Sequence, residues 1–445
     1  MIQQPREETA EYILGRESEF VLPTYPRLPT VFRNGQGVTL WDTDGNRYLD
    51  LMSGLGVSAL GHAHPRLIAA MTEQAGELIH ISNLYSHRCQ GELAEKLCQL
   101  SGMSAAFFST GGAEAVESAL KLARAWGRKN FSAAKRNFVA LERSYHGRSY
   151  GALSVTGQPR YREPFGSALE EVRFVPRNNI VALREAVDDS VCAILIEPIM
   201  GEGGVHECAH EFLAEARRLA DEHNALLVFD EIQCGLGRTG RWFAFEHSGV
   251  KPDLLVIGKP LGGGLPLSAF LVAHGKGLRD TLGPGQHGST LGGSPLACRM
   301  ALEFLAIVEQ DQLLTRVQRT GSHLRSLLLE LADDFSIGVQ ARGCAAIQAI
   351  ELTAHTRPIV EEGLSEGLLL NSVQGHVLRF LPPYIMEPSH IDELAPKLRR
   401  LLERAEAKAE SLVESAQAVP AQRTEPQVTS AAESTPPAAT AAVAG

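Results

Sequence analysis

No apolar stretch in this sequence approaches the eighteen or so residues that cross a membrane as a helix, so no membrane-spanning helix is expected. The opening Met1-Ile2-Gln3-Gln4-Pro5-Arg6-Glu7-Glu8 lacks the basic and then apolar order of a signal peptide, and a cytoplasmic location is expected. Cysteine is scarce. Cys89, Cys98, Cys192, Cys208, Cys234, Cys298 and Cys344 are odd in number, widely spaced and never in a Cys-x-x-Cys pair, which excludes a disulfide framework and a zinc site. No basic cluster interrupts a net charge of −10, so neither nucleic acid nor an acidic membrane is an expected partner. No internal repeat divides the chain, and no metal site is expected.

What is present is a chain of 445 residues, 44% hydrophobic, long enough to bury a sizeable core in two or three lobes. Trp41 to Asp50 reads as two short strands around an Asp-Gly-Asn turn. Further on, apolar strands at Phe138 to Leu141, Cys192 to Ile196, Leu226 to Phe229 and Leu254 to Ile257 alternate with helical segments such as Glu211 to His223. Such alternation predicts an α/β fold with a largely parallel sheet, helices on both faces, and ligands beyond the carboxyl ends of the strands. Long helices are expected near Arg299 to Glu309 and over Ile391 to Glu414. These give an N-terminal segment 1–54 contributing to a small domain, a large domain 55–298, a C-terminal small domain 299–414 and a tail 415–445. The tail is Ala, Pro, Ser, Thr and Gln with almost no large apolar side chain, and disorder is expected there because burial cannot offset its ordering entropy.

Two strand ends carry chemistry. The run Asp253 to Ile257 leads through Gly258 to Lys259, with Gly262, Gly263 and Gly264 opening the chain behind it, and Ala225 to Phe229 ends in Asp230. A lysine at a strand end is ordinarily a solvated tip. An amine and a carboxylate aimed at one pocket are what pyridoxal phosphate requires: a lysine to hold its aldehyde and an anion to keep its pyridine nitrogen protonated. A third strand runs from Phe107-Phe108-Ser109 through Thr110-Gly111-Gly112 into a helix, and the N–H groups at such a helix start suit a phosphate dianion. A fourth ends in Ser144-Tyr145-His146-Gly147-Arg148, where an aromatic ring is placed to stack on a flat cofactor.

Taken in order, Phe107 to Lys121, Tyr145 to Gly157, Glu197 to Gly204, Asp230 to Gly240, Lys259 and His287 to Gly293 resemble the class III pyridoxal-phosphate aminotransferases over about residues 20 to 410. Gly61-His62-Ala63-His64-Pro65 and Ser82-Asn83-Leu84-Tyr85 resemble the acetylornithine aminotransferase branch. The resemblance implies the fold type I transferase architecture: a large domain with a mostly parallel seven-stranded sheet flanked by helices, and a small α+β domain. It implies that Lys259 anchors the cofactor and moves the proton, and that Asp230 pairs with the pyridinium nitrogen. Gln233 would reach the ring's 3-oxygen, Gly112 and Ala113 the phosphate, and Tyr145 would cover a ring face beside His146, with Glu197 in the network behind the ring. Thr290, with Ser289 beside it, would reach the phosphate of a neighbouring subunit, making the active site a property of a homodimer. Arg379 would grip the α-carboxylate of glutamate, Glu202 would be its switchable counter-ion, and Arg148 would hold the distal carboxylate. The implied reaction moves the terminal amine of acetylornithine to 2-oxoglutarate. Succinylornithine, 4-aminobutyrate and other ω-amines are alternative donors, and a mutase, a decarboxylase or a non-catalytic homologue are alternatives of other kinds. Leu55 stands where ornithine aminotransferases carry a tyrosine, which disfavours a free α-amine. Gly111, Pro260 and Ser294 depart from the residues usual at their places in this family.

Overall fold

Leu226-Leu227-Val228-Phe229 is apolar without alternation, the pattern of a strand covered on both faces. In the computed structural model, which describes residues 9–166, 169 and 171–417, it lies at the middle of a seven-stranded sheet. The strands are β1 (Ala105–Ser109), β2 (Asn137–Leu141), β3 (Val172–Val175), β4 (Val191–Ile196), β5 (Leu226–Asp230), β6 (Leu254–Ile257) and β7 (Ser268–Val272). Their spatial order is β1-β7-β6-β5-β4-β2-β3, and only β7 runs against the rest. Strand pleating sends alternate residues to opposite faces. Leu226 and Val228 therefore join one apolar cluster with Ala115, Ala119 and Ala123 of the helix α1 (Gly112–Asn130), while Leu227 and Phe229 join another with Phe212, Ala216 and Leu219 of the helix α2 (His210–Glu222). The α/β fold with a seven-stranded, mostly parallel sheet flanked by helices is thus the fold of this protein.

The two strands around the Asp-Gly-Asn turn are Thr39–Asp42 and Arg47–Asp50, and the Asp42 carboxylate closes the turn by accepting the N–H groups of Asp44 at 3.0 Å and Asn46 at 2.8 Å. Phe32–Gln36 pairs on one side of them, and Leu368–Leu369 adds in parallel on the other. Val38, Leu49 and Leu51 consequently share a core with Leu324, Ile350, Leu378, Leu394 and Leu402.

One expected boundary, 298/299, falls inside the helix Pro295–Gln310, whose Ala297, Cys298, Ala301, Phe304 and Val308 pack in the core of the large sheet. Hydrophobic periodicity marked the helix but carried no information on which core it faces. The chain crosses between cores along the next helix, α3 (Leu313–Asp334): Leu313 and Val317 lie in the large core, Leu324, Leu328 and Leu331 in the small one. We therefore place the division within α3. The last helix runs Pro388–Gln417, beyond the expected Glu414, and residues 418–445 of the expected tail lie outside the described residues. Among the described residues no helix is long and apolar enough to cross a membrane.

Candidate active site

β5 and β6 are parallel neighbours, with Asp230 paired in register to Val256, so the two strands end together and Asp230 and Lys259 leave the same edge of the sheet. Lys259 has φ +42°, a left-handed conformation that costs a non-glycine residue on the order of 1 kcal/mol or more and persists where the surroundings enforce it. The turn Ser53–Gly56, itself left-handed at Ser53, Gly54 and Leu55, lies over it: a Cβ on Gly56 would come within 3.6 Å of Lys259 Cδ. Half-buried Leu55 is part of this turn. Burial pulls the Lys259 amine below lysine's ordinary value; Glu202, Asp230 and Glu197 oppose that pull and Arg379 adds to it.

Asp230 is held from behind. His146 Nδ1 lies 2.7 Å from its Oδ2, and since a carboxylate only accepts, Nδ1 carries the proton. Its Oδ1 accepts the N–H of Ile232 at 3.1 Å. His146, expected beside Tyr145 at the ring face, is the hydrogen-bonded partner of Asp230, with its own backbone N–H bonded to Thr156 Oγ1 at 2.9 Å. Glu197, 5% exposed, accepts the Tyr145 N–H at 2.8 Å. Burial pushes its carboxyl up to about 7, with His146 opposing and Asp230 adding.

At the phosphate end, Gly112 and Ala113 are the first two residues of the 19-residue α1, positions whose N–H groups have no partner within a helix. Ser268 Oγ fixes the turn by donating to the Gly111 carbonyl at 2.8 Å, and Glu114 accepts the Thr110 N–H at 2.9 Å. Gly112 is closely approached: a Cβ there would meet the tip of the Ile232 side chain, Cδ1, at 2.8 Å, and that side chain would have to shift. Ser109 Oγ at the end of β1 is buried without a hydrogen-bond partner, and the sequence reading did not single it out. An unsatisfied buried hydroxyl, free helix-start amides, an oriented carboxylate and a desolvated amine together fit a phosphorylated, aldehyde-bearing pyridine.

The third group lies on the small-domain side. Arg379, 1% exposed, donates to Glu202 Oε1 at 2.7 Å, to Gln233 Oε1 at 3.0 Å and, through Nε, to Asn371 Oδ1 at 2.9 Å. Glu202 is partly exposed. Burial pushes its carboxyl up, but Arg379, Lys259 and the Gln233 amide outweigh that and hold it below the ordinary range. Gln233, the residue expected to reach the ring's 3-oxygen, has its amide between Arg379 and Glu202, and it packs so closely on Gly201 that a Cβ at 201 would overlap it. Arg148 is exposed, and its guanidinium lies over the ring of Tyr161, 4.1 Å from its centre, and 5.8 Å from the ring centre of Tyr145. Ser289, half-buried, and Thr290, exposed, line a cleft of about 380 Å³ together with Ser109, Thr110 and Glu114 of the same chain. Asn83 pins their loop by donating to the carbonyls of Ser289 at 3.1 Å and Gly292 at 2.9 Å.

Comparison with known proteins agrees with this geometry. The family described as Aminotransferase class-III matches residues 22–402. Among related sequences, the acetylornithine aminotransferase of Caldanaerobacter subterraneus subsp. tengcongensis is 41% identical over 378 residues, covering 85% of this chain and 95% of that protein. The acetylornithine aminotransferase of Aquifex aeolicus is 40% identical over 387 residues, covering 86% of this chain and 100% of its own length. Among solved structures, the ornithine aminotransferase of Toxoplasma gondii aligns with a TM-score of 0.86 at 32% identity, covering 90% of this chain and 96% of that one. The acetylornithine aminotransferase of Elizabethkingia anophelis aligns with a TM-score of 0.79 at 30% identity, covering 89% and 100%. With its paired strand ends, its helix-start cradle and a family match spanning most of its length, the chain belongs to the class III aminotransferases, enzymes that transfer amino groups with pyridoxal phosphate.

Proposed function

We propose that this enzyme moves the terminal amine of N2-acetylornithine to 2-oxoglutarate, giving N-acetylglutamate semialdehyde and glutamate, a step of arginine biosynthesis in the cytoplasm. The observation that carries it is the buried Arg379 countered by the partly exposed Glu202, alongside relatives named acetylornithine aminotransferase. One site must accept an ω-amine and, in the other half of the cycle, an α-amino acid. An unpaired buried cation costs several kcal/mol, so a movable counter-ion serves both.

When bound, pyridoxal phosphate supplies a protonated ring that takes up the electron pair left on the substrate carbon. Asp230, oriented by His146, would hold the proton on the ring nitrogen. Gly112, Ala113 and Ser109 would hold the phosphate, Tyr145 a ring face, and Glu197 the network behind it. Lys259 would hold the aldehyde and, once freed, carry the proton on Nζ; desolvation favours the neutral amine a base needs. Arg379 would take the α-carboxylate of glutamate and Arg148 the distal carboxylate of either substrate, with Ser289 and Thr290 completing the site of a partner in a homodimer. Leu55, apolar and in the turn whose Gly56 approaches Lys259, favours a donor whose α-amine is masked. Succinylornithine and 4-aminobutyrate are the competing donors.

The test is a half-reaction screen. Purified holoenzyme is mixed in turn with acetylornithine, succinylornithine, ornithine, lysine and 4-aminobutyrate, and the loss of the lysine-bound cofactor's absorbance is followed. Acetylornithine should react with the highest single-turnover efficiency, and Lys259→Ala should lose that turnover by orders of magnitude. A faster reaction with ornithine or 4-aminobutyrate would replace the assignment.

A further inference from the structure

Arg379 has two neutral partners as well as its anionic one. A guanidinium only donates, so the amide oxygens of Asn371 and Gln233, not their nitrogens, must face it. Asn371 is the direct cross-strand partner of Arg379 on the antiparallel pair Asn371–Val373 and Val377–Phe380. On the other side, Arg379 is paired with Ala349, whose small side chain offers it no acceptor. The position of Asn371 is therefore set by the sheet. Glu202 differs in each respect: it is charged, it is more exposed than Arg379, and it stands on a turn after β4 whose backbone carbonyl accepts from Gln374 Nε2 at 2.6 Å. With the backbone tethered, the motion left to Glu202 is that of its side chain.

We infer that Asn371 is a positioning residue that keeps Arg379 aimed into the site when Glu202 is displaced, and that its neutrality sets the preference for α-carboxylate substrates in the glutamate half-reaction. The inference rests on Arg379 being the α-carboxylate anchor. A neutral acceptor satisfies one N–H and fixes the plane of the fork while leaving the charge available to an incoming carboxylate. An anion at the same place would keep the cation paired throughout the cycle. Asparagine and aspartate have nearly the same shape, so Asn371→Asp isolates charge from packing.

Single-turnover rates of the holoenzymes are measured against glutamate and against acetylornithine, with melting temperatures alongside. Asn371→Asp should lose tenfold or more in efficiency with glutamate, mainly as weaker saturation, while acetylornithine changes less than about twofold. Asn371→Ala should also lose glutamate selectively, through a misaimed guanidinium, and serves if the aspartate variant does not fold. Arg379→Ala is the control for the underlying reading. Equal effects on both donors in the Asn371 variants, with Arg379→Ala still selective for glutamate, would overturn the positioning role alone and leave Asn371 a structural residue. An Arg379→Ala variant without selective loss would overturn the anchor itself.

Discussion

Glu231 lies fully buried beside Asp230 and accepts the N–H groups of Ala244 at 2.6 Å and Phe245 at 2.7 Å. Burial outweighs those donors and pushes its carboxyl up to about 8 from the ordinary 4.5. The folded chain therefore keeps a proton that the unfolded chain releases near 4.5. Across that window the native state binds more protons, so the stability present at the acid end is lost as the pH rises toward 8. Glu197, raised to about 7, adds to the same slope over a narrower window. Glu231→Gln should flatten the fall of melting temperature between about pH 5 and about pH 8, as read by calorimetry. An unchanged slope would mean that Glu231 is ionised throughout.

Among the elements, α3 shows packing overruling propensity. Gly321 sits inside this helix, where alanine would ordinarily gain about 1 kcal/mol. A Cβ at 321, however, would lie 2.4 Å from Ala345 Cα and 2.5 Å from its carbonyl oxygen, and backbone does not yield as a flexible side chain does. Gly321→Ala should therefore destabilise by about 1–3 kcal/mol in urea unfolding; a gain would show that the neighbouring turn at Ala345 moves freely. Arg238 makes a related connection. It is 1% exposed and ties separate segments together through the carbonyls of Ala346 at 3.1 Å and Pro382 at 2.5 Å, Ser53 Oγ at 3.4 Å and the ring of Tyr384.

For the whole molecule, the surface around the Ser289 and Thr290 loop bears on assembly. Leu84 is 88% exposed, and Tyr85, Ile79 and Leu291 are exposed near Asn83, which pins that loop. Large apolar side chains gathered at one place mark an interaction surface, and a homodimer with the loop at its interface is the arrangement proposed above. Leu84→Lys should shift sedimentation toward the monomer and weaken retention of the cofactor on gel filtration. A variant that stays dimeric and fully loaded would move the interface elsewhere.

Unbroken apolar runs at 226–229 and 254–257, the first followed directly by Asp230 and the second, after Gly258, by Lys259, are local signals, and burying a strand on both faces demands that composition wherever it occurs in the chain. The parallel sheet, the helix after Gly112 and the exit of Asp230 and Lys259 from strand ends were legible for that reason. Contacts between distant segments were not. His146 reaches Asp230 across 84 positions and Arg379 reaches Glu202 across 177, and neither pairing leaves a periodicity in the sequence. The Glu202 pairing was reached only through family resemblance. The Asn371 contact depends on the register of two short strands, and the allegiance of Pro295–Gln310 to the large core depends on which apolar face it meets. Periodicity tells that a face is apolar, while register and turn geometry decide what it touches.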